Sequence, residues 1–182
     1  MRLSEPRIAP TEAKDWQGEQ LELMAKLEEG VGPVNVMRTM VRHPKLVKRW
    51  LPFTNHILFK STLSPRDREI VILRVAWVTG CEYEWAQHVS IARDAGLSDD
   101  EIDRVAKGGE GWSAHEEALI RAVDELNAEC FIGEETWAAL SQTYSEQQVL
   151  DLMMTVGNYR GLAGVLNSAG VQLDEGLPRF PA

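Results

Sequence analysis

The sequence predicts an all-helical domain, and three observations lead to that prediction. Four segments begin with a serine that is followed three residues later by an acid or a glutamine, a pattern typical of capped helix starts; the serines are Ser64, Ser98, Ser113 and Ser145. A broad apolar band with helical period follows Ser64. No convincing stretch of strict alternation is bounded by a hairpin turn such as Asn-Gly or Asp-Gly.

Helices are expected to follow one another along most of the chain. The clearest is 65–79, because Pro65 suits a first turn and residues 70–78 are mostly apolar, as in a buried helix. The predicted helices cover residues 12–29, 34–42, 45–59, 65–79, 82–95, 99–107, 114–129, 134–143, 146–156 and 158–169. After Gly170 the chain is expected to form an arm that either wraps a neighbouring subunit or frays.

The 182 residues are expected to form a single domain. We divide it into an N-terminal arm and helix at 1–33, a core at 34–170 and a C-terminal arm at 171–182. Within the core a helical hairpin pattern repeats at an offset of 49 residues, which places Cys81 on Cys130. Only the first copy keeps its ionisable residues, so the second copy is interpreted as scaffold.

Composition and charge exclude several classes of function. Asp and Glu number 28 against 19 Lys and Arg, and the formal net charge of −9 argues against nucleic acid or an anionic membrane as a partner. Two cysteines cannot build a disulfide framework, and the first residues contain no apolar stretch typical of a secretory signal. No apolar stretch reaches the roughly 18 residues of a membrane helix. We therefore expect a cytoplasmic protein that binds neither nucleic acid nor a membrane.

Three chemically active side chains are predicted to share one face of the helix that starts near residue 82. Helical geometry places Cys81, Glu84 and His88 within about 60° of one another. A first-turn cysteine can be stabilised as a thiolate by the helix dipole, and Glu84 and His88 can share a proton. Together these groups could perform acid–base chemistry near neutral pH. The alternatives are an inert buried cysteine and an exposed ion pair.

Three further residues are candidates for the same site. Glu69 lies in the first turn of the buried helix, where it is either a capping carboxylate or an acid of raised pKa that relays a proton to His88. Tyr83 and Trp85 are candidates for the wall of a substrate pocket, although Tyr83 could point to solvent and Trp85 could belong to the core. Glu69, Glu84 and His88 make only one incomplete set of metal ligands, so no metal is expected.

The spacing of these residues resembles the signature of the carboxymuconolactone decarboxylase and alkylhydroperoxidase D (AhpD) superfamily. That signature places Glu69, Cys81, position 84 and His88 at the intervals present in this chain. The flanking segments that are also similar are 42–46, 63–69, 82–88 and 95–102. The resemblance implies an AhpD-like helical bundle whose subunits form trimers or hexamers, with the active site near a subunit interface.

The chain also departs from part of that family. Peroxidase members have a second cysteine at position 84, where this chain has Glu84, and often a histidine at position 83, where it has Tyr83. Without the second thiol no Cys-x-x-Cys disulfide can form and be recycled. The decarboxylase branch also lacks the pair, and it acts without a cofactor on a lactone that bears carboxylates, releasing carbon dioxide.

The sequence therefore predicts a cofactor-independent lyase similar to carboxymuconolactone decarboxylases, acting on a small carboxylate-bearing molecule. In this hypothesis His88 moves a proton, Glu69 and Glu84 set its charge state, and Cys81 polarises the substrate or acts as a thiolate. The first alternative is peroxiredoxin-like peroxide reduction, in which Cys81 becomes a sulfenic acid that an external thiol restores. The second is a non-catalytic helical oligomer.

Overall fold

The chain is helical throughout the part that the computed structural model describes, which comprises residues 1–28, 32, 34–107 and 111–181. No strand occurs in these ranges, so the all-helical prediction is confirmed. A short 3₁₀ helix spans Ala13–Asp15. The α-helices are α1 (Glu19–Glu28), α2 (Asn35–Met40), α3 (Pro44–Phe59), α4 (Pro65–Val78), α5 (Glu82–Asp94), α6 (Asp99–Lys107), α7 (Ala114–Glu129), α8 (Glu134–Leu140) and α9 (Glu146–Ala169).

The four predicted serine caps all lie at helix starts. The hydroxyl oxygen of Ser64 accepts a hydrogen bond from the amide of Asp67 at 3.0 Å. Ser113 and Ser145 form complete capping boxes with the residues three positions later. At Ser98 the same reciprocal pair of bonds joins its amide and hydroxyl to Glu101. Each cap satisfies amide groups that a helix start leaves without partners.

The prediction and the structure differ by more than a few residues in two places. The segments 146–156 and 158–169 form one continuous helix, α9, which passes through Gly157. A glycine weakens a helix interior by about 1 kcal/mol but does not end it when one face of the helix is buried. The predicted helix 12–29 is divided instead, because the chain turns at Gly18 with φ +51° before α1 begins.

Helix α4 occupies the centre of the molecule and packs against α5, α7 and α9. It is buried on nearly every side, and its inaccessible apolar residues are Ile70, Val71, Ile72, Leu73, Val75 and Ala76. Two successive sets of three helices, α4–α5–α6 and α7–α8–α9, follow the same order along the chain. In each set the third helix begins after a capping serine. This recurrence is the helical-hairpin repeat that the sequence predicts.

Both ends of the chain pack on its own core. The amides of Arg7 and Ile8 donate to the carbonyl oxygen of Ala169 at 2.8 and 3.1 Å. Near the other end, the ring of Phe180 lies edge-on to Trp77, with 5.0 Å between ring centroids. Residues 171–181 thus run along the core of the same chain. Among the described residues, no helix combines the length and hydropathy needed to span a bilayer.

Candidate active site

A cavity of about 120 Å³ lies among α2, α3, α5 and α9. Its lining is mostly apolar, and no lysine or arginine belongs to it among the residues that the structure describes. The lining residues are Val34, Val36, Met37, Trp50, Thr54, Leu58, Tyr83, Glu84, Gln87, His88, Ile91, Tyr159, Leu162 and Leu166. The polar groups that face it come chiefly from α5, so this helix defines the chemistry of the site.

A buried pair formed by Glu69 and His88 lies beside this cavity. The two residues are 19 positions apart, and the α4–α5 hairpin brings His88 Nδ1 to 2.7 Å from Glu69 Oε2. The connection turns tightly at Gly80, whose φ of +62° favours glycine. The hairpin connection therefore sets the register that joins the acid to the imidazole.

The charge state of Glu69 follows from its surroundings. Burial alone would raise its pKa, but the charge and hydrogen bond of His88 and those of Arg68 together hold the pKa of Glu69 below its ordinary value. Arg68 Nε donates to Glu69 Oε1 at 2.9 Å, and Arg68 Nη1 donates to the carbonyl oxygen of Leu58 at 2.7 Å. This result differs from the raised pKa that the sequence suggested, because the arginine and the imidazole both face the carboxylate.

The pair fixes the tautomer of His88. An ionised carboxylate only accepts hydrogen bonds, so His88 Nδ1 carries the hydrogen that Glu69 receives. His88 Nε2 then has a lone pair when the ring is neutral and a hydrogen when it is protonated. Because His88 lines the cavity, this ring can exchange a proton with a molecule bound there.

Glu84 lies one helical turn before His88 and lines the same cavity. Its side chain is buried, and neither carboxyl oxygen makes a hydrogen bond with any residue in the described part of the chain. Burial raises the pKa of Glu84 well above its ordinary value. Burial therefore favours the protonated, neutral form of this carboxyl group.

Two tyrosines complete the polar lining. The edge-on ring of Tyr159 packs against His88, with 5.1 Å between ring centroids and an interplanar angle of 88°. Tyr159 was not predicted as a site residue, although it is a lone aromatic residue in the small-residue second half of α9, which is a usable signal. The Tyr83 hydroxyl donates to Asp174 Oδ2 at 2.7 Å and accepts from the amide of Val36 and from Gln87 Nε2, each at 3.0 Å. Tyr83 is thus a wall of the cavity, as the sequence suggested, with its hydroxyl already engaged.

Cys81 does not line the cavity. It precedes the first residue of α5 and is fully buried in an apolar cluster that includes Trp16, Met24 and Val36. Burial is the main reason why the pKa of its thiol is raised, to about 12. The expectation of a thiolate stabilised by the helix dipole therefore does not agree with the structure, because the loss of solvent outweighs the dipole.

Trp85 does not line this cavity either. Its ring is buried in the cluster between α4, α5 and α6, where it packs against Trp77 and Phe180 with centroid distances of 6.0 and 5.6 Å. Helical geometry accounts for this placement, since adjacent residues point about 100° apart and Glu84 already faces the cavity. In the described residues, no group of three or more side chains is arranged to bind a metal ion.

Comparison with known proteins supports a family assignment. Residues 44–125, which contain Glu69, Cys81, Glu84 and His88, match the model of the carboxymuconolactone decarboxylase family. No curated protein matches the chain.

Solved structures share the fold at low sequence identity. A protein from Ralstonia eutropha JMP134, described as an alkylhydroperoxidase AhpD core and uncharacterized peroxidase-related protein, is 15% identical with a TM-score of 0.80, over 93% of each chain. A putative antioxidant defence protein AhpD from Agrobacterium tumefaciens is 19% identical with a TM-score of 0.69, over 74% of this chain and 94% of its own. The debrominase Bmp8, as a cysteine-to-alanine variant in complex with 2,3,4-tribromopyrrole, is 15% identical with a TM-score of 0.74, over 94% of each chain. Residues 44–125 are therefore similar to the carboxymuconolactone decarboxylase family, and the chain has an AhpD-like helical fold.

Proposed function

We propose that the protein is a cofactor-independent enzyme that transfers a proton to or from a small organic molecule bound in the cavity, with decarboxylation as its overall reaction. The observation that carries this proposal is the buried 2.7 Å contact between Glu69 and His88, together with the position of His88 on the cavity wall. An imidazole that is oriented by a carboxylate is a common general acid–base group.

The roles of the two residues follow from their geometry. Glu69 accepts the Nδ1 hydrogen, holds the ring in one orientation and stabilises its protonated form. In a decarboxylation, the bond between the substrate carbon and its carboxylate breaks, carbon dioxide leaves, and the electron pair stays on the substrate. Protonated His88 then donates its Nε2 hydrogen to that carbon. The reaction consumes one proton, which His88 regains from solvent.

The volume of the cavity and the charge of its lining limit the size and the charge of the substrate. An engineered cavity of about 150 Å³ binds benzene, so a cavity of about 120 Å³ fits a single small ring. The presence of 2,3,4-tribromopyrrole in the Bmp8 structure is consistent with a ring of this size. Because no lysine or arginine lines the described cavity, we propose a substrate with one carboxylate, placed beside protonated His88.

Peroxide reduction through Cys81 fits this geometry less well. A peroxidatic thiol must meet peroxide as a thiolate, whereas Cys81 is buried away from the cavity and its pKa is raised to about 12. The position that holds a second cysteine in peroxidase members holds Glu84. The descriptions of two structural neighbours, one as peroxidase-related and one as a putative antioxidant defence protein, apply to those proteins.

The test is release of carbon dioxide from a panel of small cyclic 3-oxo acids and lactone carboxylic acids. We expect His88→Gln to lower kcat by about 10²–10⁴-fold, the usual contribution of general acid–base catalysis. His56→Gln is the matched control, because His56 pairs with Asp151 at 3.1 Å and does not line the cavity. Full activity in His88→Gln, or peroxide consumption that depends on Cys81, would contradict the proposal.

A further inference from the structure

The contacts of the Glu84 carboxyl group do not give it a role in stabilising the fold. Most buried polar groups are hydrogen-bonded, because leaving one without a partner costs about 1–3 kcal/mol. Glu84 is 2% exposed, both of its carboxyl oxygens lack a partner among the described residues, and Glu84 is one of the residues that line the cavity. A ligand in the cavity is the partner that could satisfy this group.

The surroundings determine which form of the carboxyl group faces that ligand. The nearby guanidinium of Arg68 is already bound to Glu69 and to the carbonyl oxygen of Leu58. No lysine or arginine lines the described part of the cavity. An unpaired carboxylate in apolar surroundings is costly, so the group binds a proton instead. A protonated carboxyl group presents one O–H donor to the cavity.

We propose that Glu84 is the hydrogen-bond donor for a carbonyl oxygen of the substrate, and that the site is built for ring-sized carbonyl compounds. This inference rests on the proposed function, because it adds a donor to the proton-transfer group His88. Residues four positions apart lie on the same side of a helix, so Glu84 and His88 contact the same ligand.

The two groups together can stabilise an enolate. In the decarboxylation of a 3-oxo acid, the electron pair released by the breaking carbon–carbon bond moves onto the carbonyl oxygen, and carbon dioxide leaves. That oxygen accepts a stronger hydrogen bond from Glu84 as its charge grows, which lowers the barrier. His88 then protonates the carbon, and the carbonyl group is restored. Neutral carboxylic acids are known to act as such donors in apolar sites.

Cyclopentanone labelled with ¹³C at the carbonyl carbon is a suitable probe, because it has the proposed size and carries no carboxylate. We expect infrared spectra of the bound ketone to show a carbonyl stretch at lower frequency than in an apolar solvent. We also expect Glu84→Leu to remove this shift and to weaken binding about tenfold, and Glu84→Gln to give an intermediate result, since an amide is a weaker donor.

The matched control is Glu82→Gln. Glu82 is a buried glutamate on the same helix, but it pairs with the amino group of Met1 and with Arg179 and does not line the cavity. It should leave both the binding and the carbonyl frequency unchanged. Cyclopentylamine tests whether Glu84 is ionised instead of protonated, because its ammonium group would bind a carboxylate.

Several outcomes would overturn the inference: no binding of cyclopentanone, an unshifted carbonyl stretch, undiminished binding by Glu84→Leu, or tighter binding of cyclopentylamine than of the ketone. Exchange of the ketone's α-hydrogens with deuterated water reports on His88 separately. His88→Gln should bind the ketone with the shifted stretch but should not exchange these hydrogens. A shifted stretch without exchange in the wild type would count against the proposed function alone.

Discussion

The two cysteines differ in exposure, and this difference predicts opposite reactivities. Cys81 is buried and its pKa is raised to about 12, whereas Cys130 is exposed. At pH 8 the thiolate fraction of Cys81 is on the order of 10⁻⁴, so iodoacetamide should label the native protein at Cys130 only. Mass spectrometry of the native and the urea-unfolded protein measures this, with one label expected before unfolding and two after it.

Cys130→Ser provides the control for that experiment. It should take no label while folded and one label when unfolded. Labelling of folded Cys81 at a rate similar to that of Cys130 would restore the Cys81-based mechanisms.

The Glu69–His88 pair predicts a pH-dependent contribution to stability. The pKa of Glu69 is lower in the folded protein than its ordinary value of 4.5, so ionised Glu69 stabilises the fold above pH 4.5. This contribution is lost as the pH falls from 4.5 through the lower pKa of the folded state. We expect Glu69→Gln to lower the free energy of unfolding by about 1–3 kcal/mol at pH 7. Urea unfolding at several pH values measures the difference from wild type, which should shrink in acid.

Glu175→Gln is the control for Glu69→Gln, because Glu175 is exposed in the C-terminal segment. It should change stability by no more than about 0.5 kcal/mol. An equal loss of stability in Glu69→Gln at pH 7 and at pH 3 would show that the carboxylate charge has no role.

The structure places some of the predicted site residues beside the cavity and others away from it. The helical period and the family spacing predicted a site that contains Glu69, Glu84 and His88; the last two line the cavity, and Glu69 contacts His88. For Cys81 and Trp85 the same period predicted the side of the helix on which each residue lies. It could not predict which other elements cover that side. The apolar cluster from the N-terminal helices buries Cys81, and residues from α6 and the C-terminal segment cover Trp85.

At the scale of the helices, replacement of two glycines by alanine is expected to have opposite effects on stability. Gly157 lies within α9, and a Cβ atom placed there would meet no heavy atom within 4 Å. Gly157→Ala should therefore raise the free energy of unfolding by about 0.5–1 kcal/mol, because alanine restricts the unfolded chain and favours the helix. Gly80→Ala should lower it by more than that, since φ is +62° and the Cβ would lie 3.2 Å from Arg2 Nη2.

Thermal unfolding of both variants and of the wild type tests these two predictions. A stabilising change moves the Tm up by about 2–4 °C per kcal/mol for a chain of this size. Destabilisation by Gly157→Ala would mean that the exposed face of α9 at this position packs against another surface.

Helix starts were predictable because their sequence signal is local. The continuity of α9 through its interior was not predictable. A capping serine and its partner three residues later depend only on neighbouring residues, and all four such pairs lie at helix starts. The predicted break at Gly157 was wrong because the continuity of α9 depends on distant residues. The packing of Leu152, Val156 and Tyr159 against the core stabilises the helix on both sides of the glycine.

At the scale of the whole molecule, the C-terminal segment and the cavity are physically connected. Asp174 lies beyond the last helix, and its Oδ2 accepts from the Tyr83 hydroxyl and from Gln87 Nε2, each at 2.7 Å. Its Oδ1 accepts from the amide of Asn35, the first residue of α2, at 2.9 Å. One carboxylate therefore joins the C-terminal segment to two walls of the cavity. No sequence period connects positions 35, 83 and 174, so this junction could not be predicted.

The junction predicts that removing the Asp174 carboxylate loosens the cavity from a distance. Asp174→Ala leaves the Asn35 amide and the Tyr83 hydroxyl without acceptors, so we expect a loss of about 2–3 kcal/mol in the free energy of unfolding. Amide hydrogen exchange should become faster at residues 35–37 and 171–174, while exchange in α7 should change less. Glu175→Ala is the control, because it removes an exposed neighbouring acid and should leave these rates unchanged. Unaltered exchange at residues 35–37 in Asp174→Ala would mean that the C-terminal segment does not hold the cavity wall in place.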